Sequence, residues 1–237
     1  MPAVPSSLRA LNQAQVLETL LGLGSASRAE LAKATGLSQP TAGKIVDELL
    51  AAEVLEEVAD AERGGSVGRP GKKLRLATST PRFVLIELGV ERTRLAAAPV
   101  APADDEQWDI EFKTPASEAL WLKALRQHAK RLGVATPWGV LMTVPGMIDE
   151  RESKILLCPN LHWAEGTALA TRVGEIFGAA PILLQEIEAL ALGELQRQRG
   201  ERDFLLVDVG DGVGGAVLIG GRPFRGPLPL RSEIGHT

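Results

Sequence analysis

Two short helix patterns joined by a glycine-containing turn lie within residues 27–50. Ser27 is a candidate N-cap with Glu30 three residues on, which is the spacing of a capping box, and Ser38 is a candidate N-cap for the second helix. Gly36 breaks the pattern between them. A further amphipathic pattern precedes Ser27, so we expect three helices. Two short helices joined by such a turn predict a helix-turn-helix.

A strand, turn and strand pattern follows the helices. Residues 54–58 resemble a short strand, "DAERGGSVGRPGKK" is a glycine-rich basic turn, and residues 74–76 alternate as a return strand. Arg69 lies between a glycine and a proline on a slim, extended backbone, a shape suited to a narrow minor groove. Residues 1–80 therefore predict a winged helix-turn-helix DNA-binding domain. A protein-docking module with the same elements is the alternative.

The charge of the chain is unevenly distributed. The formal net charge is -4, but residues 1–80 hold nine Lys/Arg and nine Asp/Glu, whereas residues 81–237 hold seventeen and twenty-one. A local basic patch suffices for phosphate contact whatever the net charge. Because the front of the second helix of a helix-turn-helix enters the major groove, the side chains predicted to contact DNA are Arg28, Ser38, Gln39, Thr41, Lys44, Arg69 and Lys72.

Composition is that of an ordinary soluble globular protein, with 45% hydrophobic and 24% charged residues. The start lacks a signal-peptide pattern, and the chain lacks a run of about 18 apolar residues, so we expect a cytoplasmic protein that does not contact a membrane. Cys158 is the single cysteine. It leaves too few thiols for an intrachain disulfide or a Cys-rich metal site.

Residues 81–237 show short apolar runs separated by turns and helix patterns. Adjacent strands followed by alternating strands and helices predict a mixed α/β sheet. The predicted strands are 83–88, 94–100, 108–113, 138–144, 181–184, 204–209 and 216–219. The predicted helices are 117–132, 167–177 and 186–199.

Five segments of this part resemble, in order, those of the ROK family: "VPGMID" (144–149), "CPNLHW" (158–163), "QEIEALALGE" (185–194), "DVGDGVGGAVLIGGRPFRG" (208–226) and "SEIGH" (232–236). This family joins bacterial sugar kinases to sugar-responsive repressors that carry a winged helix-turn-helix in front. The resemblance implies an actin-like (ribonuclease H-like ATPase) α/β domain over residues 81–237.

That domain is expected to be incomplete. In the family, the histidine corresponding to His236 is a zinc ligand completed by three cysteines downstream, and the rest of the second lobe follows. None of these lies in this sequence, so we expect no bound metal. The chain is then a fragment of a longer repressor, a truncated gene product, or a chain that pairs with another copy.

The resemblance also locates the kinase chemistry. Kinase members begin one helix with an Asn-Asp pair whose Asp is the general base, and this chain has Gln185-Glu186. Glu87 replaces the Asp of the first phosphate loop, and Asp211 replaces the Thr of the second. A displaced base and a carboxylate facing triphosphate both oppose phosphoryl transfer. We therefore predict no catalytic residue and no cofactor, with an active sugar kinase as the alternative.

Sugar recognition is implied for four residues: Gly146, Asn160, Glu186 and Glu233. Carboxylates and amides suit this role because each can make two hydrogen bonds to vicinal hydroxyls. In the alternative interpretation, Gly146 serves a turn and Asn160 caps a loop.

The sequence as a whole predicts a DNA-binding transcriptional regulator, a repressor, that responds to a sugar or sugar derivative. A single winged module contacts a short half-site, so we expect a homodimer on a near-palindromic operator in double-stranded DNA. A regulator that binds DNA but senses no ligand is a further alternative.

Overall fold

The computed structural model describes residues 5–59, 72–101, 108–149, 153–166, 168–197, 200–209 and 213–224. The chain forms two compact units. The first comprises Met1–Thr80 with Pro99–Asp104, and the second comprises Pro81–Ala98 with Asp105–Thr237. Within the described residues, no helix has the length and apolar character needed to cross a membrane.

Three helices form most of the first unit: α1 (Pro5–Leu23), α2 (Arg28–Thr35) and α3 (Gln39–Ala51). The predicted capping box at the start of α2 is confirmed. Ser27 Oγ accepts from the Glu30 backbone N–H at 3.2 Å, and the Glu30 carboxylate accepts from the Ser27 backbone N–H at 2.7 Å. Gly36 ends α2 in the left-handed conformation at φ 69°. Ser38 Oγ caps α3 by accepting from the Thr41 backbone N–H at 3.3 Å.

A two-stranded antiparallel hairpin completes this unit, with β1 (Leu55–Ala59) paired to β2 (Lys72–Leu76). Strand β2 is also tied to the start of the helix-turn-helix, because Ala26 and Leu74 exchange two backbone hydrogen bonds of 2.9 and 2.8 Å. The helices and the hairpin bury one shared apolar core: Val16, Leu20, Ala26, Leu31, Ile45, Val46, Leu49, Leu55 and Leu74.

The second unit has a mixed α/β architecture, as predicted. Its elements are β3 (Phe83–Leu88), β4 (Arg92–Ala98), β5 (Ile110–Lys113), α4 (Glu118–Ala129), β6 (Gly139–Val144), β7 (Met147–Asp149), β8 (Lys154–Leu157), a 3-10 turn (His162–Ala164), α5 (Leu169–Phe177), β9 (Pro181–Gln185), α6 (Glu186–Arg197), β10 (Phe204–Val209), β11 (Val213–Ile219) and β12 (Arg222–Pro223).

Its main sheet has the strand order β5-β4-β3-β6-β9. Strands β3, β4 and β5 pair antiparallel, whereas β6 pairs parallel to both β3 and β9. Parallel neighbours need crossover connections, and helices supply them here. The core beneath the sheet includes buried side chains of α4 and α5 such as Trp121, Leu125 and Val173.

A second, three-stranded sheet has the order β10-β11-β12, and α6 packs on it through Ala191, Ala216 and Leu218. Strand β11 begins at Val213, three residues before the predicted start. Glycines at 214 and 215 weaken the strand pattern in the sequence. In the structure Gly214 pairs with Asp208, and a Cβ added there would lie in ordinary van der Waals contact with Ile187, at 3.5 Å.

Candidate nucleic-acid interface and ligand site

The front of α3 presents polar side chains to solvent. Gln39, Thr41 and Lys44 are exposed there, while Ala42 and Ile45 on the opposite side of the helix are buried in the core. The hydroxyls of Ser38 and Thr41 lie 2.8 Å apart and bond to each other. The amphipathic pattern of the sequence thus fixes which side of α3 faces outward, and the predicted DNA-contacting residues of this helix lie on that side.

Arg28 lies at the start of α2 and reaches across to α3. Its Nη1 donates to Asp47 Oδ1 at 2.7 Å and to the Gly43 carbonyl at 3.4 Å. Both partners of the ion pair are exposed, so the pair contributes little to stability. Its effect is to hold a guanidinium beside the outward surface of α3.

The hairpin strands carry less free positive charge than the sequence count suggests. Lys72 pairs with Glu57, and Arg75 pairs with Glu56, the residue directly opposite on β1. Partial burial opposes ionisation of Glu56, but the Arg75 guanidinium outweighs it and lowers the pKa of that carboxyl. Arg69 lies outside the described residues. The structure therefore places Lys72 at the first position of β2, opposite the last residue of β1, in an ion pair with an acid of the facing strand.

Gly146 lies where the chain turns from β6 into β7, tightly against a neighbouring loop. A Cβ added to Gly146 would lie 2.2 Å from the Leu157 carbonyl oxygen and 3.0 Å from Cys158 Cα. Gln185 is buried and its Nε2 donates to the Gly146 carbonyl at 3.0 Å. The close approach at Gly146 is thus made by the protein's own backbone, and the Gln185 side chain positions this turn.

Glu186 follows at the first position of α6 within a group of carboxylates. Partial burial of the carboxyl raises the pKa of Glu186, and the negative charges of Glu87 and Asp208 raise it further, while Arg94 opposes the shift. Arg94 Nη1 lies 3.2 Å from Glu87 Oε1, and Arg94 Nε lies 3.0 Å from Glu111 Oε2. Arg94 is therefore shared between Glu87 and Glu111, and Glu111 also pairs with Arg92.

Asn160 is exposed and lines a different part of the unit. It borders a cleft of about 790 Å³ together with Lys113, Thr114, His162 and Trp163. Neither Gly146 nor Glu186 lines this cleft, and Glu233 lies outside the described residues. Sequence reasoning missed His162 and Trp163, although both lie in the "CPNLHW" segment used for the resemblance. No group of three or more His, Cys, Asp or Glu suited to a metal ion occurs among the described residues.

Comparison with known proteins gives the same two-part organisation. Residues 86–237 match the model of the ROK family, and residues 9–64 match a MarR family model. A xylose repressor of Caldicellulosiruptor bescii is 27% identical over 97% of this chain and 59% of its own length. An N-acetylmannosamine kinase of Escherichia coli O157:H7 is 29% identical over 64% of this chain and 53% of its own.

Among solved structures, a ROK family transcriptional regulator, described as a homologue of the Escherichia coli Mlc protein, shares the fold. Its TM-score is 0.72 at 21% sequence identity, over 96% of this chain and 58% of that one. The chain thus spans less than two thirds of the length of these relatives. Its α/β part is a partial actin-like domain of the kind found in ROK sugar kinases, preceded by a MarR-like helix-turn-helix. Because the ROK match covers most of the chain, from residue 86 to residue 237, the chain belongs to the ROK family.

Proposed function

We propose that this chain is a DNA-binding transcriptional repressor of the ROK family that responds to a sugar or sugar derivative. The observation that carries the proposal is the front of α3. This helix is capped by Ser38, and its polar side faces solvent. The helix-turn-helix match and the similarity to a xylose repressor support it. Residues 1–80 are then the DNA-binding domain, and residues 81–237 are an incomplete sugar-kinase-like domain.

Each predicted DNA contact has a chemistry that suits its place. Gln39 offers an amide that can bond to an adenine edge, and Lys44 offers a cation for a guanine edge or a phosphate. The hydroxyls of Ser38 and Thr41 are short donors near the helix N-terminus, where phosphates bind favourably. We assign contact with DNA phosphates to Arg28 and Lys72, and contact with a narrow minor groove to Arg69.

In this proposal the second unit senses the ligand. Gly146, Asn160, Glu186 and Glu233 are the residues assigned to sugar recognition, and of these Asn160 borders the cleft beside His162 and Trp163, whereas Gly146 and Glu186 do not. A ligand weakens operator binding only if it binds the DNA-competent and incompetent states with different affinities. The regulator acts as a homodimer on a near-palindromic operator, because one recognition helix contacts only a short half-site. We place this regulator in the cytoplasm.

A sugar kinase is the competing function, because ROK kinases are also similar to this chain. The replacements of Asp by Glu at positions 87 and 186 argue against it, because the longer side chain displaces each carboxylate from the position that kinase members use. Asp211, which replaces a Thr of the kinase members, lies outside the described residues. A coupled assay for ATP turnover over a hexose panel separates the two functions. Sugar-dependent turnover that Glu186→Gln abolishes would favour the kinase.

Lys44→Ala tests the DNA-binding surface. We expect the variant to bind about tenfold more weakly to a duplex that the wild-type chain has selected from a random library, because one cation leaves the interface. Fluorescence anisotropy with the labelled duplex measures the affinity. Lys123→Ala is the matched control, because Lys123 is an exposed lysine on α4 in the second unit and its loss changes the net charge equally. Equal losses in both variants, or none at Lys44, would contradict the proposed surface.

A further inference from the structure

Gly43 is the fifth residue of α3 and lies inside the helix rather than at a cap. A glycine in a helix interior is unfavourable, because its unfolded backbone has more freedom to lose and it has no side chain to pack. Close packing within the protein is one reason for a glycine at such a position, and close approach of a ligand to the backbone is another.

Close packing against the described residues of the protein does not explain Gly43. A Cβ added to Gly43 meets no described atom within 4 Å, whereas one added to Gly146 would collide with the backbone. Gly43 is also absent from the glycines with positive φ, so its helical conformation suits any L residue. Alanine would fit at this position in the free protein.

The residues one helical turn before and after Gly43 are exposed to solvent. Gln39 lies one turn before it and Asp47 one turn after it, and both are exposed. Residues four apart share one side of a helix, so Gly43 forms a notch between two polar side chains. Arg28 borders the same notch through its contacts with the Gly43 carbonyl and with Asp47. The floor of the notch is bare backbone, with an apolar Cα–H.

We propose that this notch receives the C5-methyl group of a thymine in the major groove, so that Gly43 sets how deeply α3 enters and favours thymine at one operator position. The inference rests on the proposed DNA-binding function. A small apolar surface suits the thymine methyl, the apolar group that base pairs present in the major groove. Gln39 and Arg28 beside the notch supply polar contacts to neighbouring atoms.

Gly43→Ala is expected to change stability and DNA binding in opposite directions. The Tm measured by circular dichroism is expected to rise by a few degrees, because alanine is the better helix former. Affinity for the wild-type-selected duplex falls about tenfold, because the added methyl occupies the space of the thymine methyl. Gly193→Ala is the control: Gly193 lies inside α6 in equally open surroundings, and its replacement leaves DNA affinity unchanged.

Replacement of each thymine of the selected duplex by uracil, one at a time, completes a double-mutant cycle. At one position the loss of the thymine methyl restores the Gly43→Ala variant to within about twofold of the wild type on the same duplex. Equal affinity of variant and wild type on the thymine duplex would overturn the inference, as would a deficit that persists on every uracil duplex. A wild-type chain that selects no duplex would instead overturn the proposed function, and the inference with it.

Discussion

Gly146→Ala is expected to destabilise the second unit by about 3 kcal/mol, close to the upper end for overpacking. The added Cβ would lie 2.2 Å from the Leu157 carbonyl oxygen, a backbone atom that cannot rotate away. Relief requires the turn after β6 to move, which also strains the hydrogen bond from Gln185 to the Gly146 carbonyl. Urea unfolding followed by tryptophan fluorescence measures the loss, because all four tryptophans lie in the second unit.

The control for this substitution is again Gly193→Ala, where the new methyl meets open space among the described residues. It is expected to leave the urea midpoint unchanged or slightly raised. A Gly146→Ala protein as stable as the wild type would contradict the close approach of residues 157 and 158. Contact with the ligand, rather than packing of the protein backbone, would then explain the glycine at position 146.

Trp121→Ala is the second substitution with a large expected effect, a loss of about 3–5 kcal/mol from the second unit. Trp121 is fully buried in α4, beneath the main sheet. Its Nε1 donates to Thr93 Oγ1 at 2.9 Å, Thr93 and Thr114 hydroxyls lie 3.0 Å apart, and Thr114 Oγ1 donates to the Gly89 carbonyl at 2.8 Å. The variant thus leaves a cavity and removes the first donor of a buried polar chain.

Leu120→Ala on the same helix is the matched control. Leu120 is 56% exposed, so its truncation is expected to change the free energy of unfolding by no more than about 0.5 kcal/mol. Trp121→Ala keeps three tryptophans and Leu120→Ala keeps all four, so tryptophan fluorescence reports unfolding of the unit in both variants. Similar losses at positions 120 and 121 would mean that α4 does not bury the side that the structure assigns to it.

Local features of the fold were predictable from the sequence because their causes are local. The capping box at Ser27 and Glu30 needs only residues three apart, and the structure shows both of its hydrogen bonds. Strand β3 has the predicted bounds because a short, mostly apolar run of six residues that ends at a glycine is a strong strand pattern. The hairpin of β7 and β8 was not predicted, since strands of three and four residues are too short to show a period.

Features of the candidate sites that depend on distant residues were not predictable. The hydrogen bond from Gln185 to Gly146 joins residues 39 apart in sequence. The pairing of Arg75 with Glu56 follows from the register of the hairpin, so a count of basic residues overstates the free charge of its strands. The open space at Gly43 likewise depends on how the three helices pack, which no single segment specifies.

The distribution of charge is compatible with the proposed binding of an acidic chain to DNA. All of the net charge of -4 belongs to residues 81–237, because residues 1–80 have equal numbers of acidic and basic residues. At salt concentrations near physiological, exposed charges farther apart than about 8 Å are largely screened from each other. The local charge of the front of α3, where Lys44 is exposed, therefore decides phosphate contact rather than the charge of the whole chain.

The most direct test of this account is the salt dependence of binding between the full chain and its selected duplex, from about 50 to about 200 mM salt. The account predicts that affinity falls linearly on a double-logarithmic plot, and that Lys44→Ala reduces the slope by about one released counterion. A chain that binds no duplex, or one whose binding does not change with salt, would contradict the assignment of α3 and the hairpin as a DNA-binding surface.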